Sequence, residues 1–217
     1  MKILTKEEAF APLSNEKSIP VDFSQHDFQF TRKWFRNRNQ STWSTFILPR
    51  FQKIRPVKMI QIGVFEGYDA VWCLQNILRH RKSRMVAIDP WLAETKLSQA
   101  QMDECYERAK HNLSPWKDKV EILRRMSQDV LCQVGPEDGT FDLIIIDGDH
   151  NSGPVLRDAI NALRLLKVGG WMVFDDVRNR RPKKDHVIDG IRMFLEGHEK
   201  EVKFEWAHRF CDCYSKV

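Results

Sequence analysis

The chain has 217 residues, of which 42% are hydrophobic and 30% are charged, and its formal net charge is +5. This length and balance suit one globular domain of ordinary size, and no apolar run is long enough to span a membrane. The start, MKILTKEEAF, lacks the hydrophobic core of a secretory signal, and the five cysteines are odd in number and scattered. We therefore expect a reduced, cytoplasmic location and no disulfide framework.

The first 55 residues are predicted to form an arm and a helical edge or lid. Residues 1–20 are polar and contain two prolines, which is typical of a loose arm. Within residues 21–55, Trp43, Ile47 and Phe51 follow the spacing of an apolar helix face. We expect this segment to pack on the edge of the domain formed by residues 56–217, or to cover its site.

From residue 57 onward, strand and helix patterns alternate. The predicted strands cover residues 57–62, 84–89, 119–123, 141–147 and 171–175. The predicted helices cover residues 70–81, 94–113, 128–134, 151–168 and 185–198, and a pair of glycines ends the fourth. Two last strands, 202–206 and 210–214, are too close for a helical crossover and should be antiparallel. This order predicts an α/β fold: a doubly wound, Rossmann-like sheet, mostly parallel with a C-terminal antiparallel strand pair.

A glycine turn and an acidic strand end indicate an adenosyl ligand. The first predicted strand runs into QIGVFEGYD, where Gly63 and Gly67 let the backbone approach a ligand at a helix start. Asp89 ends the second strand, 22 residues beyond Gly67, where a carboxylate can accept both hydroxyls of a ribose. Phe65 stands at the middle glycine of the dinucleotide-binding pattern, so that pattern is incomplete. The alternative role of Asp89 is to cap the turn that follows it.

Two further strands, in FDLIIIDGDH and WMVFDD, end abruptly in carboxylates. Because the carboxyl ends of parallel strands share one edge of a sheet, Asp147, Asp149, His150, Asp175 and Asp176 are expected to converge on one crevice. Carboxylates gathered in this way are costly unless a cation, a proton or a ligand compensates them. The pattern therefore predicts an active site.

Four segments together resemble a known family: QIGVFEG, AIDPW, FDLIIIDGDH and LLKVGGWMVFDD. In this order they are similar to the motif series of class I S-adenosylmethionine-dependent methyltransferases, and the resemblance covers about residues 34–214. These motifs most resemble those of the small-molecule O-methyltransferase branch that is grouped with the catechol and macrolide-sugar enzymes. The contacts to S-adenosylmethionine that the resemblance implies are Gly63, Phe65, Glu66, Gly67, Asp89, Trp91, Ser127, Gln128 and Asp147.

The resemblance also implies roles within this cofactor site. The two glycines flank the methionine part, Asp89 holds the ribose, and Ser127 with Gln128 forms the pair on the adenine side. Trp91 either covers the adenine face or is an ordinary core or surface tryptophan. Gln61 stands where the family commonly has an acidic residue, so Glu66 is expected to substitute in contacting the methionine amino group.

Methyl transfer to a hydroxyl needs an aligned and deprotonated oxygen, which a divalent cation favours. In the resembling family, the positions of Asp147, Asp175 and Asp176 bind the metal, and their hard oxygen ligands suit Mg²⁺. His150 lies where catechol-type relatives place a basic catalytic residue, and its ordinary pKa near ~6.5 suits a general base. Asp149 is the competing base, and capping the next helix is the alternative role of His150.

The expected acceptor is a small hydroxylated molecule, and the basic residues between 178 and 184 predict that it carries negative charge. A nucleic-acid methyltransferase is the alternative, since residues 28–38 also interleave basic and aromatic side chains. A nucleotide-binding dehydrogenase and a non-catalytic interaction module are weaker alternatives. A solvated loop is the ordinary explanation of such a charge run. We expect no membrane partner, and the oligomeric state is not readable from the sequence.

Overall fold

The computed structural model describes residues 3–32, 35, 38–93, 97–133, 138–178 and 186–217. The α-helices are α1 Lys6–Ala9, α2 Arg38–Thr42, α3 Tyr68–Asn76, α4 Gln99–Leu113, α5 Ser127–Leu131, α6 Ser152–Leu165 and α7 Val187–His198. The strands are β1 Lys58–Ile62, β2 Arg84–Ile88, β3 Val120–Leu123, β4 Phe141–Ile146, β5 Leu166–Phe174, β6 Val202–His208 and β7 Cys211–Lys216. Among the described helices, none combines the length and apolar character that a membrane crossing requires.

The seven strands form one sheet in the order β3-β2-β1-β4-β5-β7-β6. Parallel pairs join β1 with β4, β4 with β5, and β2 with β3, whereas β7 is antiparallel to both β5 and β6. All six residues of β4 are buried, as expected for a strand whose apolar run 143–146 has neighbours on both sides. The predicted mostly parallel sheet with a C-terminal antiparallel pair is confirmed.

The chain divides into two compact units. The turn unit comprises Asn15–Val57 and Gly63–Met126, and the acidic unit comprises Met1–Ser14, Lys58–Ile62 and Ser127–Val217. The largest fully buried side chains of the turn unit include Trp43, Trp72 and Trp91, and those of the acidic unit include Phe174, Phe194 and Tyr214. Each unit therefore has its own aromatic core.

The predicted end of the fourth helix is wrong. The helix has ended before Leu166, where β5 begins, so Gly169 and Gly170 lie inside the strand. The register between β4 and β5 shifts just after Phe141, and Gly169 has a φ of 76°. A Cβ on Gly170 would lie 2.8 Å from the carbonyl oxygen of Phe141. The glycines therefore serve a strand irregularity and a close backbone approach rather than a helix end.

The first 20 residues, which the sequence suggests are loose, make specific contacts in both units. In the acidic unit, Thr5 caps α1 and Ala9 is buried, with its carbonyl oxygen 2.7 Å from the backbone nitrogen of Arg209. In the turn unit, Trp72 Nε1 donates to the carbonyl oxygen of Ile19 at 2.6 Å. Residues on both sides of the unit boundary are thus held by hydrogen bonds to distant parts of the chain.

Candidate active site

The turn between β1 and α3 has a left-handed backbone at three of its five residues. The φ angle is 81° at Gly63, 51° at Phe65 and 80° at Gly67. Gly67 caps the start of α3, and a Cβ at this position would meet the Leu113 side chain at 3.4 Å. Because such φ angles strain residues that carry a Cβ, the two glycines are needed here, and Phe65 must be held in place by its surroundings.

Asp89 supplies much of that support. Its Oδ2 accepts hydrogen bonds from the backbone N–H groups of Val64 and Phe65, both at 2.9 Å, and its Oδ1 accepts from the N–H of Trp91 at 2.7 Å. Burial raises the pKa of Asp89, and these N–H donors counteract that rise. A carboxylate has about four acceptor positions. Asp89 therefore keeps room for about one further donor, which fits one ribose hydroxyl rather than the predicted two.

Trp91 belongs to the core of the turn unit. Its side chain is fully buried, its Nε1 donates to the carbonyl oxygen of Phe65 at 2.8 Å, and its ring centroid lies 4.8 Å from that of Tyr106. A ring enclosed in this way is not presented to an adenine. Of the two roles that the sequence left open for Trp91, the structure favours the core tryptophan.

Glu66 binds the chain's own N-terminal segment. Its carboxylate accepts from Thr31 N at 2.7 Å, Thr31 Oγ1 at 2.6 Å and Arg32 N at 3.2 Å, and it forms an ion pair with Arg108 at 3.3 Å. The Glu66 side chain is 1% exposed, so these partners surround it. The expectation that Glu66 contacts a methionine amino group is therefore not supported by its placement, because its acceptor positions are already used.

Asn112, which the sequence analysis missed, strengthens the same attachment. This fully buried residue exchanges two hydrogen bonds with the backbone of Gln29, at 2.7 and 3.1 Å, and donates to the carbonyl oxygen of Glu66 at 2.8 Å. Residues 29–32 are thus tied to the turn by two buried polar side chains. A cavity of about 210 Å³ lies alongside, with Arg32 and Phe65 in its wall.

In the acidic unit, the residues that follow β4 and β5 come together. Nε2 of His150 lies 3.1 Å from Oδ2 of Asp176 and 3.7 Å from Oδ1 of Asp147. Ligand atoms of all three residues lie within 4.8 Å of one another. Asp176 has a φ of 55°, a strained conformation for a residue with a side chain, and such outliers are concentrated at functional sites. The predicted convergence of these two strand ends is present in this unit.

The pKa values of this cluster are strongly displaced. Burial and then repulsion from Asp175 hold the pKa of Asp147 well above its usual range. Burial followed by repulsion from Asp176 raises the pKa of Asp175 to about 6. Burial alone would lower the pKa of His150, but the carboxylates of Asp147 and Asp176 outweigh it and raise that pKa to about 10. Without a cation, the cluster therefore favours a bound proton, either on a carboxylate or on the imidazole.

Two of the predicted acidic site residues are engaged elsewhere. Asp175 is buried, and its Oδ1 accepts from the backbone N–H of Asp176 at 2.8 Å and from Cys211 Sγ at 3.2 Å. Asp149 is exposed, and its Oδ1 accepts from both the backbone and the side-chain nitrogen of Asn151. The structure therefore groups His150, rather than Asp175, with the other two predicted metal ligands.

Ser127 and Gln128 open α5, and both are half-buried. Ser127 Oγ donates to Oδ1 of Asp158 at 2.7 Å. Burial raises the pKa of Asp158 to about 6. Asp158 was missed, although a sequence signal exists, because it lies among the apolar residues Val155 and Ala159 on the buried face of α6. A charged residue on an apolar helix stripe indicates an internal polar contact.

The basic run after β5 lies mostly outside the described residues, which stop at Arg178 and resume at His186. Arg178 itself does not face solvent. Its side chain is 3% exposed and pairs with Asp212 at 2.6 Å. The expectation that Arg178 helps to attract an anionic substrate is therefore wrong, because its guanidinium is buried and paired with Asp212.

The donor set of the acidic cluster fits a divalent cation. Asp147 and Asp176 offer hard carboxylate oxygens, and His150 adds an imidazole nitrogen, which first-row ions such as Mn²⁺ also accept. These two neighbouring carboxylates would lose much of their mutual repulsion if they held a cation together.

Comparisons with known proteins bear on the family and the fold of the chain. Residues 60–177 match the family model described as "Methyltransferase domain". Uncharacterized protein R132 of Acanthamoeba polyphaga mimivirus is 27% identical over 124 residues, which cover 56% of this chain and 52% of that protein. The match thus spans about half the length of this relative.

Similar solved structures include three from bacteria. A candidate O-methyltransferase of Klebsiella pneumoniae gives a TM-score of 0.61 at 18% identity, covering 85% of this chain and 83% of the other. The Bacillus cereus O-methyltransferase in complex with SAH gives 0.55 at 22% identity, covering 73% and 74%. The Streptomyces achromogenes O-methyltransferase TomG, in complex with SAM and involved in tomaymycin synthesis, gives 0.53 at 20% identity, covering 74% and 73%.

These likenesses confirm the resemblance to O-methyltransferases as one of fold. The family match covers more than half of the chain and includes both the glycine turn and the strand ends with their carboxylates. The protein therefore belongs to the methyltransferase domain family.

Proposed function

We propose that this protein transfers the methyl group of S-adenosylmethionine to an oxygen of a small hydroxylated molecule, with the help of a divalent cation. The observation that carries the proposal is the meeting of Asp147, His150 and Asp176 after two parallel strands. Acceptor oxygens are weak nucleophiles until they are deprotonated, and this cluster contains both a candidate cation site and a candidate base.

Support for the cofactor comes from the turn unit. The Gly63–Gly67 turn is built with a left-handed backbone, and Asp89 beside it has room for about one more donor. The Bacillus cereus protein and TomG have this fold and hold SAH and SAM. On this basis Asp89 binds a ribose hydroxyl, while the adenine-side role of Ser127 and Gln128 stays an expectation from the sequence.

In the proposed reaction, Asp147 and Asp176 hold the cation and His150 receives the proton. A bound divalent cation lowers the pKa of the acceptor hydroxyl and fixes its oxygen. A cation held by Asp147 and Asp176 would offset the charge that raises the pKa of His150, so Nε2 would then be able to accept the hydroxyl proton. The acceptor oxygen would form a bond to the methyl carbon as the carbon–sulfur bond of the sulfonium breaks. The products are a methyl ether, S-adenosylhomocysteine and an imidazolium.

A nucleic-acid acceptor is the alternative that deserves a direct test. The basic run between residues 178 and 184 motivated this alternative, but Arg178 forms a buried ion pair and is not available to bind nucleic acid, which weakens the alternative. The dehydrogenase alternative is not retained, because the chain belongs to a methyltransferase family.

The experiment is a transfer assay with S-adenosylmethionine labelled on its methyl group. Catechols, sugars, glycosides and short RNAs are offered as acceptors, each with Mg²⁺, with Mn²⁺ and with excess EDTA. We expect labelled product from a small hydroxylated acceptor with a cation present, and none with EDTA. Full transfer in EDTA would show that no cation is needed. Transfer to RNA alone would show that the acceptor is a nucleic acid rather than a small hydroxylated molecule.

A further inference from the structure

The turn that carries Asp175 and Asp176 is fastened to the start of β7 and the residues before it. Cys211 Sγ donates to Asp175 Oδ1 at 3.2 Å, and the backbone N–H of Val177 donates to the carbonyl oxygen of Phe210 at 2.8 Å. One residue further on, Arg178 reaches Asp212. Three consecutive attachments therefore bracket the strained Asp176.

Arg178 is the most extensively bonded of these attachments. Its Nη1 donates to Asp212 Oδ1 at 2.6 Å and to the carbonyl oxygen of Arg209 at 3.2 Å. Its Nε and Nη2 point at the carbonyl oxygen of Leu4, at 3.4 and 3.3 Å. One guanidinium thus joins the Asp176 turn, the β6–β7 hairpin and the N-terminal segment, which needs the planar fork of donors that arginine alone provides.

Asp212 is built to keep Arg178 in place. Its side chain is fully buried, and its second carboxylate oxygen is buried with no hydrogen-bond partner among the described residues. A buried carboxylate in this setting is compensated chiefly by its ion pair, so breaking the pair leaves an uncompensated charge. Asp212 also lies on the opposite face of β7 from Cys211 and Cys213, because side chains alternate along a strand.

We propose that Arg178 is a positioning residue of the acidic cluster. Its bonds to Asp212, Arg209 and Leu4 hold the Asp175–Asp176 turn so that the Asp176 carboxylate stays beside Asp147 and His150. A residue with a Cβ keeps a φ of 55° only when its surroundings enforce it, and Arg178 lies two residues along the same turn. The role of Arg178 rests on the proposed function, in which Asp147 and Asp176 hold a cation.

A contact with the acceptor does not explain Arg178, because its side chain is 3% exposed. A role in stability alone is separable by experiment. Replacing a buried ion pair with two apolar residues of similar volume commonly preserves stability, whereas removing one partner does not. The double variant R178M/D212L therefore keeps a filled interior and removes the donors to Leu4 and Arg209.

The matched control is Lys167→Met. Lys167 also pairs with a buried aspartate, Asp142, but at the beginning of β5, whereas Asp175 follows the end of that strand. Each protein is measured for thermal unfolding, for Mn²⁺ affinity by electron paramagnetic resonance without cofactor, for kcat and KM, and for amide hydrogen exchange at Asp176 and Val177 without metal.

The expected result is a double variant with a near-normal Tm, at least tenfold weaker Mn²⁺ binding, a kcat lowered about tenfold, an unchanged acceptor KM, and at least tenfold faster exchange at the two amides. Lys167→Met should lower the Tm, because it removes the partner of the buried Asp142 carboxylate, but it should match the wild type in Mn²⁺ affinity, kcat, KM and amide exchange. A double variant with wild-type Mn²⁺ affinity and exchange would overturn the positioning role. If the double variant does not fold, Arg178→Lys decides by the same measurements, since lysine keeps the charge but not the fork.

The two proposals fail in different ways. A wild-type protein that binds no Mn²⁺ and transfers no methyl group removes the proposed function. Hydrogen exchange in the metal-free protein still decides whether Arg178 holds the turn. A wild type that is active, with variants that exchange and bind as the wild type does, removes only the role of Arg178.

Discussion

The carboxylates of the two units are used in opposite ways. In the turn unit, Asp89 and Glu66 accept several backbone N–H groups, and Glu66 also pairs with Arg108. In the acidic unit, Asp147 and Asp176 lie beside each other and His150, and the pKa values of Asp147 and His150 are raised. The first pair stabilises a backbone conformation, whereas the repulsion within the second pair would be relieved by a bound cation.

This difference gives a criterion for separating architectural from chemical carboxylates. A carboxylate whose acceptor positions are filled by N–H groups gains little from a cation, and its loss is felt as a loosened turn. A carboxylate crowded by another acid gains much from a cation, and its loss is felt in turnover. The following substitutions test whether the criterion holds, beginning with the largest expected effect.

Asp147→Asn is expected to lower kcat/KM about 10³-fold. Lewis-acid stabilisation supplies several kcal/mol, and each ~1.4 kcal/mol is worth tenfold in rate. Initial rates at saturating Mg²⁺ measure this loss, and calorimetry with S-adenosylhomocysteine should find little change in cofactor affinity. Asp189→Asn, at a partly exposed ion pair with Arg192 in the same unit, is the matched control. A near-normal rate in Asp147→Asn would place this residue with the architectural carboxylates.

His150→Gln is expected to lower kcat about 10²-fold, at the lower end of what general bases contribute, because a cation shares the task of deprotonation. Mn²⁺ affinity, measured alongside, separates two roles for the imidazole: a base leaves it nearly unchanged, whereas a metal ligand weakens it. Asp149→Asn should retain most activity, since its carboxylate is turned toward Asn151. If Asp149→Asn lost activity and His150→Gln did not, the two residues would exchange roles.

Asp89→Ala is expected to weaken binding of S-adenosylhomocysteine by about 1.5–3 kcal/mol, as for hydrogen bonds to a charged group. The change removes the ribose acceptor and also frees the N–H groups of Val64 and Phe65. Isothermal titration calorimetry gives the affinity. Asp103→Ala, at an exposed ion pair with Arg124 in the same unit, is the control and should bind normally. Equal affinities in the two variants would remove Asp89 from the cofactor site.

Asp158→Asn should raise the free energy of unfolding at pH 7.5 by about 1–3 kcal/mol and leave it nearly unchanged near pH 4. The folded-state pKa of about 6 exceeds the ordinary aspartate pKa of about 3.9, so the folded protein binds this proton more tightly than the unfolded chain. Stability therefore falls as pH rises from about 4 to above 6, and asparagine avoids this loss while its Oδ1 still accepts from Ser127. Urea unfolding across this pH range measures it; a pH-independent difference would argue against the shift.

Neutralising Arg180, Arg181 and Lys183 together is expected to raise the acceptor KM roughly threefold at low salt and to flatten its salt dependence, if the acceptor is anionic. These residues lie outside the described part of the chain, so the expectation rests on the sequence alone. Cofactor affinity should not change. An unchanged KM at low salt would return these residues to ordinary solvated surface, as is usual for charge runs.

The sequence by itself determined the strands, their mostly parallel order and the placement of acids at strand ends. These features follow from local patterns: an apolar run such as β4 predicts a buried strand, and Gly63 and Gly67 predict a turn that needs a left-handed backbone. The family was also readable, because its motifs keep their order along the chain, and the match to residues 60–177 bears this out.

Only the tertiary structure decided which way the polar side chains point. Glu66 binds Thr31, which lies 35 residues earlier, and Arg178 binds Asp212, which lies 34 residues later. No periodicity records such partners, because they depend on how distant segments pack. The same holds for Asp175, which turns toward Cys211 while its neighbour turns toward His150. The end of a strand determines where the backbone of such a residue lies, and long-range packing determines which groups its side chain contacts.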